Sequence, residues 1–168
     1  LLSFYLRGIP FVDLVHLRKT DVKHNTIYYY RHKTRQQLSV HIESYAAQII
    51  NRYKNEAASS PYLLLILSLT GEDGYRQYKS ALRLYNQHLH TLSKMLRLSI
   101  PLTSYVARHS WATTAKDEGV AISVISESLG HTSEKVTHVY LASFDNNAMS
   151  KANKKVIATI HPNKKKKP

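Results

Sequence analysis

This sequence has no cysteine, no long apolar run and few acidic residues. Without a single cysteine in 168 residues, the chain cannot hold a disulfide scaffold, a thiol nucleophile or a cysteine zinc site. Its longest apolar run, residues 63–67, is far shorter than the roughly 20 residues that a membrane span requires. We therefore expect no membrane partner, and we expect this run to form a buried strand or core loop.

The scarcity of acids leaves a strongly basic chain. Only 11 acidic residues stand against 24 lysines and arginines, and the formal net charge is +13. Seven of the lysines fall in residues 151–168, yet the other 17 basic residues still outnumber the acids. Such an excess favours a polyanionic partner, because each phosphate contact releases condensed counterions. Charge alone does not say whether that partner is a specific nucleic acid.

The apolar pattern predicts a mainly α-helical domain with one small antiparallel sheet, an α+β fold. Residues 26–30 and 38–42 have the composition and alternation of strands, and they bracket a basic loop at 31–37. Residues 21–25 are polar and predict a turn. Helical spacing and stop signals predict helices starting near Pro10 and at about 44–56, 74–98, 103–118, 121–128, 133–141 and 145–156.

Three residues between 105 and 140 have the side chains that phosphoryl transfer to a tyrosine requires. The phenolate of Tyr140 can attack phosphorus and stay attached, which conserves the energy of the broken bond. The arginine fork of Arg108 can neutralise charge on the non-bridging oxygens. His131 can donate to the same oxygens or manage a proton. Because these groups belong to the protein, the sequence predicts a site without a metal or other cofactor.

The same segment resembles a known family in three ordered motifs. Residues 107–113, ARHSWAT, look like the arginine box of tyrosine recombinases, the phage integrase family. Residues 129–133, LGHTS, look like its second histidine box, and 137–140, THVY, like its nucleophile box. Tyr140 follows His131 by nine residues, which is the family spacing. The resemblance runs from residue 1 to about 156, and the chain is similar to integrases of Bacteroidetes mobile elements.

This resemblance implies a site-specific DNA recombinase with the catalytic-domain fold of the family. Such an enzyme cuts and rejoins double-stranded DNA through a 3′-phosphotyrosyl intermediate, without metal or ATP. Its members act as four protomers around two duplexes, so we expect a homo-tetramer on DNA. We expect the protein to work in the bacterial cytoplasm, associated with the nucleoid.

The resemblance also implies a lysine on the β-hairpin that protonates the leaving 5′ oxygen. Lys33, in the run 30–34, YRHKT, resembles that lysine. Protonation matters because an alkoxide is a poor leaving group. Arg31 and Arg35 flank it and can contact phosphates instead. His109, beside the box arginine, is expected to orient the site rather than to react.

The chain departs from the family pattern at the first arginine. Aligning Gly8 and Asp13 with the family motif puts Pro10 where that arginine normally stands. Arg7, three residues earlier, is our candidate substitute, and we rank it ahead of Arg18. A second departure is Tyr105, which stands three residues before Arg108, where the family usually has histidine.

Tyrosine at position 105 changes the expected chemistry. A tyrosine hydroxyl can donate one hydrogen bond, but it is a poor base at neutral pH. We therefore include Tyr105 among the candidate catalytic residues, in a hydrogen-bonding role. The identity of the general base stays open at this point.

We expect one catalytic domain at residues 1–156 and a basic flexible tail at 157–168. Because the chain opens inside what looks like an apolar helix, without an initiator methionine, we expect an N-terminal DNA-binding part of the full protein to be absent. By resemblance, residues 145–156 are expected to form a helix that docks on a neighbouring subunit.

Three alternatives remain open from the sequence. A type IB topoisomerase-like enzyme would nick and reseal one duplex without exchange. A catalytically impaired member of the same fold, with activity lost through Pro10 and Tyr105, would only bind DNA. A basic helical protein associated with RNA would require all three motifs to be coincidental.

Overall fold

A computed structural model of the protein describes residues 1–142, which are mostly helical and include one three-stranded antiparallel sheet. This confirms the predicted fold class. The predicted helix at 145–156 and the predicted tail at 157–168 lie outside the described residues. The elements are α1 (Leu2–Tyr5), α2 (Phe11–His16), β1 (Val22–Lys23), β2 (Thr26–Tyr30), β3 (Gln37–His41), α3 (Ser44–Arg52), α4 (Gly71–Met95), α5 (Val106–Asp117), α6 (Ile122–Leu129) and α7 (Glu134–Ala142).

The hairpin of β2 and β3 forms as the alternation predicts. Ile27 lies opposite Val40 and Tyr29 opposite Leu38, and these four side chains are buried. Side chains alternate between the two faces of a strand, so the tyrosines on either side of Tyr29 are exposed. The run of three tyrosines is therefore half core and half surface.

Strand β1 was not predicted, because its turn has an unusual sequence. Residues 21–25 were expected to form only a turn, but Val22 and Lys23 pair with the first residues of β2. The connecting residues His24 and Asn25 both have positive φ, 47° and 61°. Tight hairpin turns of this kind are usually signalled by Asn-Gly or Asp-Gly, and histidine in the first position gives no such signal.

Helix boundaries differ from the predicted ones in the middle of the chain. Helix α3 ends at Arg52 instead of continuing to residue 56, and Lys19 donates hydrogen bonds to the carbonyls of Ala57 and Ala58 in the turns that follow. Helix α4 begins at Gly71, three residues earlier than expected, with two acidic residues in its first turn. Acids at that end are favourable, because a helix N-terminus carries partial positive charge.

Apolar side chains of residues 1–142 gather in separate clusters. The largest cluster joins the sheet to α1, α2 and α3, and includes Leu6, Ile27 and Val40. A second joins α5, α6 and α7 through Ala112, Ile125 and Leu141. Among residues 1–142, no helix is long and apolar enough to cross a membrane. The three sequence motifs lie on α5, at the end of α6 and on α7.

Gly8 lies where the turn after α1 meets α5. It follows α1 with φ +68°, and a Cβ atom built on it would lie 2.6 Å from the Cα of Arg108. Real Cβ atoms do not approach a backbone atom so closely, and the left-handed φ itself disfavours other residues. Glycine at this position therefore allows the turn after α1 to press against α5.

We expect Gly8→Ala to destabilise the fold more than a matched glycine change. Gly119→Ala shares the left-handed strain of about 1–2 kcal/mol but meets open space. Gly8→Ala adds a backbone clash, which should lower the free energy of unfolding by about 1–3 kcal/mol more. Urea denaturation of both variants measures the difference. Equal losses would contradict the close approach.

Candidate active site

The guanidinium of Arg108 lies at the centre of the candidate site. Arg108, on α5, is 3% exposed. Its Nη1 donates to the Gly8 carbonyl at 3.2 Å, and its Nη2 donates to the Leu129 carbonyl. Burial, and then the charge of Arg31, lower the pKa of Arg108 to about 10. Among residues 1–142, no carboxylate forms an ion pair with it.

The end of α6 supplies the acceptor for this arginine. Leu129 is the last helical residue, and Gly130 follows with φ +63°. The amide of His131 donates to the Ser126 carbonyl at 3.0 Å, and that of Gly130 to the Glu127 carbonyl at 2.9 Å. This is a Schellman ending, which satisfies two of the four orphan carbonyls of a helix C-terminus. The turn leaves the Leu129 carbonyl to the arginine and brings His131 beside it.

The hydrogen bonds of His131 fix its tautomer. Its Nε2 lies 3.3 Å from Nη2 of Arg108, and its Nδ1 lies 2.8 Å from Oγ1 of Thr137. Because a guanidinium can only donate, Nε2 is the acceptor, and Nδ1 carries the proton and donates to Thr137. Burial, followed by the charges of Arg108, Arg31 and Lys33, lowers the pKa of His131 to about 4. The ring is therefore neutral at pH 7.

Tyr140 reaches this cluster from α7 of the same chain. Its ring stacks on that of His109, with centroids 4.5 Å apart and planes 6° apart. Its contact with His131 is edge-on, at 5.7 Å and 71°. Burial raises the pKa of Tyr140 to about 12, although the charge of Arg108 opposes the rise. The candidate nucleophile is thus a neutral phenol at pH 7.

Lys33 and Tyr105 lie at the rim of the cluster. Lys33 is exposed in the loop between β2 and β3, and its charge is one of those that lower the pKa of His131. Tyr105 caps the N-terminal end of α5 and is half exposed, with its ring centroid 6.3 Å from that of His109. Both side chains can therefore meet a ligand that approaches from solvent.

Among residues 1–142, the hydrogen bond of Arg7 goes to the sheet and not to Arg108 or His131. Its Nη1 donates to the carbonyl of Ser39 on β3 at 3.3 Å. Its charge affects the pKa of Tyr29, but it is not among the charges that shift those of Arg108, His131 and Tyr140. A role for Arg7 in binding phosphate stays a prediction.

Arg31 is the residue whose position the sequence reasoning missed. It is 6% exposed, its Nε donates to the Leu129 carbonyl at 3.1 Å, and its Nη1 donates to Asp13 at 3.2 Å. The signal was present in the alternation of β2. Ile27 and Tyr29 face the core, and Arg31 continues the same inward register two residues later.

Asp13 is the buried carboxylate of the site. Its Oδ1 accepts from the backbone amide of His32 at 2.9 Å and lies 3.2 Å from the ring Nδ1, while its Oδ2 pairs with Arg31. Among residues 1–142, Arg31 and Arg108 are buried, and the buried carboxylate pairs with Arg31 alone. Because burying an unpaired charge is costly, this arrangement favours an anion. Residues 1–142 contain no group of three side chains suited to hold a metal.

A model of the phage integrase family matches residues 5–147, which is most of the chain. The chain belongs to the phage integrase family. This confirms the resemblance carried by the three sequence motifs. A comparison with curated proteins found no significant match.

Several solved structures share the fold. A crystal structure of XerA recombinase matches with a TM-score of 0.66 and 19% identity, over 95% of this chain and 55% of that one. XerH site-specific recombinase bound to palindromic difH substrate matches with a TM-score of 0.67 and 15% identity. The match covers 90% of this chain and 44% of that one. The Tn1549 transposon integrase in complex with transposon right end DNA matches with a TM-score of 0.63 and 14% identity. The match covers 92% of this chain and 56% of that one.

These likenesses confirm the predicted tyrosine recombinase catalytic-domain fold. At such low identity they bear on the fold alone. The chain spans about half the length of the solved structures it matches.

The lowered pKa of His131 predicts a pH-dependent stability. The unfolded chain has the ordinary histidine pKa of 6.5, and the folded value is about 4, so the unfolded state binds more protons between these values. The contribution to stability is full above about pH 6.5 and is lost as the pH falls toward 4. We expect the free energy of unfolding to fall less steeply between pH 7 and 5 in His131→Gln. Urea denaturation at each pH measures this free energy. The same change with pH in the parent and in His131→Gln would contradict the lowered pKa of His131.

Proposed function

We propose that this domain cuts and rejoins double-stranded DNA through a covalent bond between Tyr140 and a 3′-phosphate. The observation that carries the proposal is the meeting of a buried Arg108, which has no carboxylate partner among residues 1–142, with a neutral His131 and Tyr140 in one electropositive cluster. Membership of the phage integrase family supports the reaction class. Site-specific recombination, integration included, is the activity we infer.

In the proposed cleavage step, the Oη atom of Tyr140 attacks the scissile phosphorus. Negative charge grows on the non-bridging oxygens, and the guanidinium of Arg108 stabilises it without reorganising, because its hydrogen bonds to Gly8 and Leu129 already fix its orientation. The phenol must lose its proton as the bond forms. His131 is the acceptor we propose, since its ring is neutral and its Nε2 carries no proton; to accept from Tyr140, Nε2 exchanges the hydrogen bond from Arg108 for the phenol proton.

The bond to the 5′ oxygen breaks as the bond to Tyr140 forms. We propose that the ammonium of Lys33 gives its proton to that oxygen, so that a hydroxyl leaves instead of an alkoxide. Rejoining runs the same steps in reverse with a 5′-hydroxyl from the partner strand. The phosphotyrosyl bond conserves the energy of the original phosphodiester, so the cycle needs no ATP. Tyr105, at the rim, would donate a hydrogen bond to the phosphate or its neighbours.

We further propose that the protein acts on DNA as a homo-tetramer, in the bacterial cytoplasm at the nucleoid. The structure of XerH bound to palindromic difH substrate, a protein of the same fold, supports DNA as the partner. The excess of basic residues supports it independently. Exchange between two duplexes distinguishes this function from nicking and resealing of one.

Covalent trapping tests the proposed function. The longest natural form of the protein is incubated with nicked duplexes from the ends of its mobile element and is then run on a denaturing gel. We expect a shifted protein–DNA band that is absent in Tyr140→Phe, which retains the ring but not the hydroxyl. DNA binding without a band in the parent would favour the impaired binding protein, with Pro10 and Tyr105 as the cause.

A leaving-group substitution tests the role of Lys33. We expect Lys33→Ala to slow formation of the adduct by about 10²–10⁴-fold, the usual contribution of a general acid. A substrate with sulfur in place of the bridging 5′ oxygen should restore the rate, because a thiolate leaves without protonation. Lys23→Ala, at an exposed lysine of β1, is the matched control. Persistence of the defect on the sulfur substrate would contradict proton donation by Lys33.

A further inference from the structure

We propose that Arg31 is the second phosphate-binding arginine of this site, taking the part that the family pattern would give to an arginine at the position of Pro10. The inference rests on the proposed function and names a further catalytic residue for it. The sequence-based candidate, Arg7, lies in the turn between α1 and α2. Arg31 lies instead in the hairpin of β2 and β3.

A shared acceptor brings the two arginines together. Nε of Arg31 and Nη2 of Arg108 both donate to the Leu129 carbonyl. Two nitrogens bound to one oxygen must lie within a few ångströms of each other. The charge of Arg31 accordingly lowers the pKa of Arg108 and of His131, and it opposes the rise in the pKa of Tyr140. Arg31 therefore acts on three of the residues that the proposed reaction uses, namely Arg108, His131 and Tyr140.

Packing holds Arg31 in this position. A Cβ atom on Gly130 would lie 3.0 Å from Cδ of Arg31, so the side chain runs directly over the turn that precedes His131. Thr34, from the same hairpin loop, donates to the Gly130 carbonyl at 3.2 Å. Asp13 orients the guanidinium through Nη1. The side chain of Arg31 is thus held by hydrogen bonds to Leu129 and Asp13 and by packing on Gly130. A side chain held in this way loses little conformational entropy when it binds a ligand.

The guanidinium keeps capacity for an anion. Among the contacts of residues 1–142, Arg31 donates through Nε and Nη1, and its Nη2 makes no hydrogen bond. Arg108 likewise makes none through Nε. Asp13 balances one of the two buried positive charges. A phosphodiester carries one negative charge and would balance the other.

Neutral phosphate analogues distinguish contact with phosphate from a purely structural role. A methylphosphonate replaces one charged non-bridging oxygen by a methyl group, so an arginine that neutralises that oxygen becomes less necessary. We would measure adduct formation by the parent and by Arg31→Ala on phosphate and on methylphosphonate substrates. Arg7→Ala tests the rival arginine, and Arg76→Ala, an exposed arginine paired with Glu72, is the surface control.

On the phosphate substrate, we expect Arg31→Ala to slow adduct formation by about 10²–10³-fold, as for loss of one oxyanion donor. On methylphosphonate, the difference from the parent should shrink by at least tenfold. Arg7→Ala should show no such selective recovery. Arg76→Ala should match the parent on both substrates.

A variant with two substitutions serves as the control for loss of folding. Removing Arg31 alone leaves Asp13 buried without its partner, which can unfold a domain. Arg31→Gln with Asp13→Asn keeps hydrogen-bonding groups at both positions and removes both charges, and circular dichroism checks that it folds. It should show the same recovery on methylphosphonate.

Equal losses on both substrates in folded variants would overturn the proposal, as would parental rates in Arg31→Ala or selective recovery in Arg7→Ala. No adduct by the parent on either DNA would instead overturn the proposed function, and the role of Arg31 would fall with it.

Discussion

The carbonyl at the end of α6 is the acceptor on which the site depends. Two buried arginines from distant parts of the chain, Arg108 on α5 and Arg31 after β2, donate to the oxygen of Leu129. The left-handed Gly130 ends the helix there and turns His131 back toward the same arginines. One helix terminus thereby joins the hairpin to the helices. The partial negative charge of a helix C-terminus favours cations at this place.

The charge balance of the cluster follows from this arrangement and explains its resting state. Burial, together with the positive charges of Arg108, Arg31 and Lys33, lowers the pKa of His131 to about 4 and holds the ring neutral. Burial keeps Tyr140 protonated. A phosphate would supply the missing negative charge and bring the oxygens that Arg108 is oriented to receive. The same excess of positive charge that costs stability in the free protein would therefore favour binding of DNA, and the proposed chemistry would begin only with the substrate in place.

Sequence reasoning predicted the fold class correctly and named several residues that the structure places close together, and its misses have physical causes. Arg108, His131 and Tyr140 were predicted from motifs with fixed spacing on short consecutive helices, and the structure brings them together. The hairpin was predicted from alternation and composition. The burial of Arg31 depends on a contact with Leu129, 98 residues away, which no local pattern encodes. Strand β1 depends on a His24-Asn25 turn without glycine, and the segment after α3 is held by hydrogen bonds from Lys19, which is distant in the sequence.

The central claim is that Tyr140, and no other of the twelve tyrosines in the chain, becomes bonded to DNA in this site. Mass spectrometry of a trapped complex, after digestion of the DNA to a short stub and of the protein to peptides, locates the bond directly. The account predicts a nucleotide stub on the peptide that contains Tyr140, attached through its 3′-phosphate. A stub on any other residue, Tyr105 included, would contradict it.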